Sequence, residues 1–447
     1  MQNGKLIKRT AAILFFAAVS LLGCSISSPA ETSPSVLPER PEPVAAPGSG
    51  RLAYIGADGN IYVTTPEFAE HFAVTHDATA PPEGPGLSYP RVSWSPDGQL
   101  AYASVIRNGN GAQARLYVAQ SPGASARLVG TSDQHFVIYI YWSPVPCADG
   151  TECHRLGYLI EEPEGIALRV VDVSTDMTTN EIAGHGWPFY FSWSPDGKYI
   201  LWHTGGAARF NNQAQIARYS LENKQVEAFG IHPGLFIAPA WSPRGDEWLF
   251  VTTVNDIEHL YRTQLEQAEL NLATRNLLAT AENRHMVFSW SPQGDRVAYS
   301  ILRSSDGLIF GPIYVYDLAS GETKQITATS FNISGFFWSP DGERIGYLTR
   351  LEVRDAAWMQ WRVYDLARGL DRGYAAFNPS YQMRYVISSF NQYAQSHRLW
   401  SPDGRYLVYA DQDDERVERV WMVDTFAERG ADPILVAKGS MGFWSWE

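Results

Sequence analysis

Five of the 10 histidines in this chain (His135, His185, His232, His285 and His397) stand three to nine residues ahead of a tryptophan in a recurring Trp-Ser-Pro string. Imidazoles brought together from such positions suit Zn, Cu, Mn or Ni, so one expectation is a histidine-lined funnel holding a transition metal. The weightier expectation is loop histidines that cap strands, because their offsets from the tryptophan vary and no His-x-His or His-x-x-x-His occurs. On balance no cofactor is expected. Aromatic and polar residues gather between Trp338 and Trp400, among them Tyr374, Phe377, Tyr381, Tyr385, Phe390, Asn391 and Tyr393. Flat apolar faces with polar edges suit sugar rings or peptide chains, which makes Tyr381, Tyr393 and Trp187 candidate ligand contacts beside the histidines. The acidic groups Glu161-Glu162 and Asp413-Asp414-Glu415 read as solvated hairpin tips, since paired carboxylates do acid/base work only when their surroundings split their pKa values. No Gly-x-Ser-x-Gly elbow occurs, and no catalytic residue is assigned.

The elements that must position these residues follow from the repeat. Trp-Ser-Pro occurs at Trp94, Trp142, Trp193, Trp241, Trp290, Trp338 and Trp400, with a truncated copy at Trp444-Ser445. Most spacings are close to 48 residues; the one from Trp338 to Trp400 is 62. Four copies continue as Asp-Gly, the composition of a tight turn: Pro presets φ, Asp bonds forward to the backbone and Gly takes a positive φ. An apolar run leads into each tryptophan, and two further strand-like runs and a weaker fourth follow it. Four short antiparallel strands per unit is one propeller blade. The tryptophan then wedges between neighbouring blades as core. Residues 51–64 supply a second and a third strand without a first, and Met441–Trp446 a first strand without the rest. Joined, they complete an eighth blade and remove the open edge. The expectation is an all-β chain, a propeller of eight four-stranded blades, with seven as the alternative.

The Trp-Ser-Pro-Asp-Gly units resemble the TolB-type β-propeller repeat, also found in the propeller domains of prolyl-oligopeptidase-type enzymes. The resemblance covers roughly residues 51–447. It implies the fold, and it implies ligand contact through loops at one mouth of the central channel, where the histidines would lie. It does not fix function. Some polysaccharide lyases with a related propeller use such a metal funnel.

The chain opens with Lys5, Lys8 and Arg9 followed by an apolar run from Ala11 to Leu22, which reads as an export signal too short to span a bilayer. The run ends in Leu21-Leu22-Gly23-Cys24, which resembles the bacterial lipoprotein box. That resemblance implies cleavage after residue 23 and lipidation of Cys24, with acyl chains enough for stable anchoring. Residues 25–50 carry six prolines and little apolar bulk, a tether. The expected organisation is a signal peptide over 1–23, a lipidated cysteine and tether over 24–50, and one propeller over 51–447. Of the remaining cysteines, Cys147 and Cys153 are a nearby pair expected to oxidise outside the cytoplasm.

With 35 basic and 48 acidic residues the net charge is -13, and only six of the basic residues are lysine. Such a chain offers no basic face for nucleic acid. An apolar fraction of 45% excludes disorder for most of the length. Together these features lead to a lipid-anchored, extracytoplasmic module in a bacterial envelope, non-catalytic, that binds a protein or glycan and touches the membrane only through its N-terminal lipid. The alternative is a polysaccharide lyase or glycosidase, which needs at least three of His135, His185, His232 and His285 to converge on one ion.

Overall fold

The computed structural model describes residues 50–447 except 66, 68–69, 109–110, 134, 147–153, 163–164, 174–177, 206–213, 232, 235–237, 265–274, 283, 305–308, 354–355 and 428–431. Cys24, the tether, His232 and the Cys147/Cys153 pair lie outside the described residues.

Each Trp-Ser-Pro string does the same local work. The strands Gly86–Trp94, Val137–Trp142, Phe189–Trp193, Ala240–Trp241, Met286–Trp290 and Ile333–Trp338 all end on the tryptophan. The turn that follows is built by its serine. Ser194 Oγ donates to Asp196 at 2.6 Å and accepts the Tyr199 N–H at 2.9 Å; Ser95 with Asp97 and Ser401 with Asp403 do the same at 2.5 Å. The turn glycines, such as Gly98 (φ 86°) and Gly342 (φ 68°), sit in the left-handed region where a side chain would strain the backbone. The chain then returns as a second strand and continues antiparallel, as in Leu100–Asn108, Gly111–Ala119 and Arg127–Ser132. Four four-stranded sheets of this kind succeed one another, and the next two join edgewise through Phe310↔Ile333.

The tryptophans lie between adjoining sheets, as the repeat predicts. The Trp142 indole N–H donates to the Ser93 carbonyl at 3.2 Å, Trp193 to Tyr141 at 3.0 Å, Trp290 to Ala240 at 3.2 Å and Trp400 to Phe337 at 3.2 Å. In each case the acceptor directly precedes the tryptophan of the previous unit. Trp94 extends the rule across the chain ends, donating to Phe443 at 3.1 Å. A satisfied N–H at the edge of a large apolar ring lets the ring be buried at little polar cost. The start of the chain meets its end directly: Leu52–Gly56 pairs with Ile434–Trp444 from Leu52↔Trp444 to Ile55↔Met441. Nearly all the described residues in regular structure are thus β, in a propeller-like arrangement of antiparallel sheets.

The departure from expectation is the long spacing. Its surplus does not form an exposed aromatic platform; it folds into two helices, α1 (Tyr381–Ser388) and α2 (Phe390–Ser396). Ser380 caps α1 by accepting the Met383 N–H at 3.0 Å and fastens it by donating to the Ser440 carbonyl at 2.6 Å. Met383, Val386, Ile387, Phe390 and Tyr393 all point into the core. Helix α2 packs on three first strands, Phe189–Trp193 from one sheet and Met286–Trp290 and Ile333–Trp338 from the edgewise-joined sheet. Only a segment among the innermost strands can touch all three, so the insertion is an internal plug.

Candidate functional site

The plug is held by polar groups as well as by apolar packing. Gln392 makes two backbone bonds across the middle, its Oε1 accepting the Phe191 N–H at 2.9 Å and its Nε2 donating to the Phe191 carbonyl at 2.7 Å. The same Nε2 lies 3.0 Å from the Tyr139 hydroxyl. Tyr139 donates onward to Ser396 Oγ, and Ser396 donates to His397 Nδ1 at 2.7 Å. Nearer the other end, Arg91 donates to the Ile138 carbonyl at 2.7 Å and to Gln382 Oε1 at 3.0 Å, with its guanidinium 4.5 Å from the Tyr385 ring centre. Burial pushes the Tyr139 and Tyr393 hydroxyls well above the usual phenol range, and it pushes His397 down to about 3. These are structural groups, neutral at physiological pH.

At the end of the first strands where the tryptophans stand, the plug stops short and leaves a cavity of about 330 Å³. Its wall is built by the repeat itself: Trp193, Trp241, Trp290 and Trp338 with the prolines two residues after each. Gln395, His397 and Arg398 face it from the end of the insertion, and Trp446 closes one side. Among the described residues no carboxylate lines it. Small-ligand sites share this make-up, mostly apolar with a few polar groups, and the volume falls at the lower end of their range.

The sequence-predicted residues are distributed differently. Tyr393, expected at an exposed mouth, is buried, its ring edge-on to Tyr139 at 5.3 Å and stacked on Phe443 at 6.2 Å. A phenol ring on the inward side of a helical plug has nowhere else to go. His397 is buried beside it and borders the cavity at the tryptophan end, whereas His185 and His285 precede the starts of first strands. His185 Nε2 meets Glu162 at 3.1 Å and His285 Nδ1 meets the buried Glu258 at 2.6 Å. His135 is partly buried, its backbone N–H donating to Ser132 Oγ at 3.2 Å. His185 and His285 thus each have a carboxylate partner of their own. Among the described residues no three His, Cys, Asp or Glu side chains come together to hold a metal. Trp187 packs partly buried against the core, and Tyr381 is exposed at the start of α1. Sequence reasoning missed Gln392, Arg398 and Trp446. The available signal was the apolar spacing from Met383 to Tyr393, which is helical.

No protein-family model matches this chain, and neither does any curated protein sequence. Solved structures similar to it include TolB from Acinetobacter baumannii, with 16% identity over 76% of this chain and 83% of that one and a TM-score of 0.40. An oligogalacturonate lyase in complex with manganese has 12% identity over 76% and 82% and a TM-score of 0.45. A prolyl endopeptidase has 12% identity, covers 86% of this chain and 54% of that one, and reaches a TM-score of 0.52. The chain therefore spans about half of the endopeptidase. That likeness shows a shared fold, and at such identity the fold alone. Among the described residues no helix is long and apolar enough to cross a membrane.

Proposed function

We propose that this protein is a lipid-anchored, non-catalytic binding module of a bacterial envelope: an eight-bladed propeller that engages a protein or glycan through its tryptophan-proline cup. The observation that carries this reading is the cup itself. It is a concavity of about 330 Å³ walled by the repeat tryptophans, with no carboxylate pair and no nucleophile–base pair among its lining residues. The eight-blade count is supported by the recurring indole-to-carbonyl bonds, one of them from Trp94 to Phe443, and by the pairing of Leu52–Gly56 with Ile434–Trp444. The lipid box at Cys24 and the Pro-rich tether support the anchoring, and export would favour a Cys147–Cys153 disulfide. The lyase or glycosidase reading gains nothing from His185 and His285, each of which pairs with a carboxylate of its own.

Two results are expected. Cys24→Ala should move the protein from the membrane fraction to the soluble one on fractionation of expressing cells; retention in the membrane would count against the lipid anchor. A photo-crosslinking residue at Pro195 or Pro243, both on the cup wall, should give one discrete adduct in intact cells, with no such adduct from Val226 on an exposed outer strand. Equal labelling from all three positions, or none from the cup, would sink the reading of the cup as the binding face.

A further inference from the structure

The cup contains a cation that nothing among the described residues neutralises. Arg398 follows directly on the buried His397 at the end of the insertion and lines the cavity. Its main chain is fixed, because the Arg398 carbonyl accepts the Trp444 N–H at 2.9 Å. Its guanidinium lies over the Trp446 ring, 4.1 Å from the centroid, which holds the planar group in one orientation. Yet Arg398 Nε is buried without a hydrogen-bond partner, and the side chain forms no ion pair among the described residues. The other arginines near the channel differ: Arg91 is bonded to two carbonyls and an amide, and Arg344 pairs with Asp341 at 3.1 Å. Burial without an anion also pulls Arg398 down to about 10, the direction expected of a charge held away from water without compensation.

Leaving a guanidinium donor unsatisfied is costly, and a fork of N–H groups in a half-open apolar cup matches a carboxylate in shape and charge. A second unpartnered donor belongs to the same wall. Trp241 Nε1 is buried without the carbonyl that its counterparts Trp142, Trp193 and Trp290 bond. The remaining surface is tryptophan and proline, so whatever brings the anion must also bring an apolar or aromatic body. Inorganic phosphate lacks that body, and a neutral sugar lacks the anion.

We infer that the cup binds a carboxylate carried on an apolar or aromatic group, the carboxylate bidentate on Arg398 and the body against the tryptophans and prolines. This rests on the cup being the binding face, and it assigns the ligand class. The carboxylate has two chemical sources: a free small acid, or the C-terminal residue of a partner chain.

Calorimetric titration of the detergent-purified full chain tests it. The first pair of probes is N-acetyl-phenylalanine and its amide; the second is a tetrapeptide ending in Ala-Phe with a free or an amidated C-terminus. In at least one pair the acid should bind at least tenfold more tightly than the amide. Preference for the tetrapeptide over the single residue identifies a chain end as the source, and equal affinity identifies a free acid. Arg398→Gln should abolish the acid–amide difference and Arg398→Lys should retain part of it, with thermal unfolding confirming that both variants fold. Equal binding of acid and amide, or no binding of either pair, overturns the inference. If it fails while the cup positions still crosslink in cells, the module reading stands with another ligand class; if both fail, the cup is not the binding face.

Discussion

Replacing Phe390 with alanine should cost about 3–5 kcal/mol of unfolding free energy, the range for deleting a well-packed buried phenylalanine. Phe390 is 3% exposed and occupies the start of α2. Its ring stands 5.2 Å from Phe336, 5.7 Å from Phe310 and 6.2 Å from Phe337, all aromatic residues of the edgewise-joined sheet. The site cannot collapse to fill the gap, because its far wall is backbone. Gly335 lies so close that a Cβ there would come within 3.0 Å of the Phe390 ring. A rigid wall keeps the cavity open, which places the cost toward the top of the range. Denaturant unfolding with an unchanged slope would measure the loss. A loss below about 1 kcal/mol would mean that the ring is not packed against these strands and that the helices are not a plug.

The repeat made most of this fold legible. A tryptophan, a Pro-Asp-Gly turn and apolar runs on either side specify a strand, its end and its return, and the indole-to-carbonyl bonds explain why tryptophan recurs where leucine would also fill space. The insertion was harder for a physical reason. Tyr381, Tyr385, Phe390 and Tyr393 have the composition of an exposed recognition loop, and in a chain otherwise made of strands nothing local says that an aromatic segment turns inward. The helical period from Met383 to Tyr393 shows that one face is apolar, but only the three-dimensional arrangement of the sheets creates the space for that face to fill. The histidines are local for a related reason. Their offsets from the tryptophans vary, and the partners of two of them are nearby carboxylates: Glu162 for His185, Glu258 for His285. Arg398 was invisible to composition altogether, since what singles it out is a missing anion.

The plug should also make stability depend on pH from above the range where ordinary carboxylates titrate. His397 is neutral in the folded protein, its Nδ1 accepting from Ser396 while its ring lies 4.6 Å from Phe443 and 4.8 Å from Tyr393. The charged groups near it work in the same direction, because Arg91 further disfavours the imidazolium and Tyr139 and Tyr393 stay un-ionised. The folded pKa is about 3 against about 6.5 unfolded, so between those values the unfolded chain binds the extra proton. The stabilisation is therefore complete above pH 6.5 and is lost as the pH falls toward 3, at about 1.4 kcal/mol per unit. From pH 7.5 to pH 5 the loss should be about 2 kcal/mol from this group alone, before the lowered carboxylates such as Asp97 and Asp341 begin to protonate. His71, also depressed by burial, adds to the loss with the same sign. Denaturant unfolding at both pH values, in the natural chain and in His397→Gln, separates the contributions. The variant should be less stable at pH 7.5, because it gives up a well-placed ring, and should lose about 2 kcal/mol less than the natural chain on acidification. An equal pH dependence in the two proteins would mean that His397 reaches water in the folded state, and the axis beneath the cup would then be wet rather than sealed by the plug.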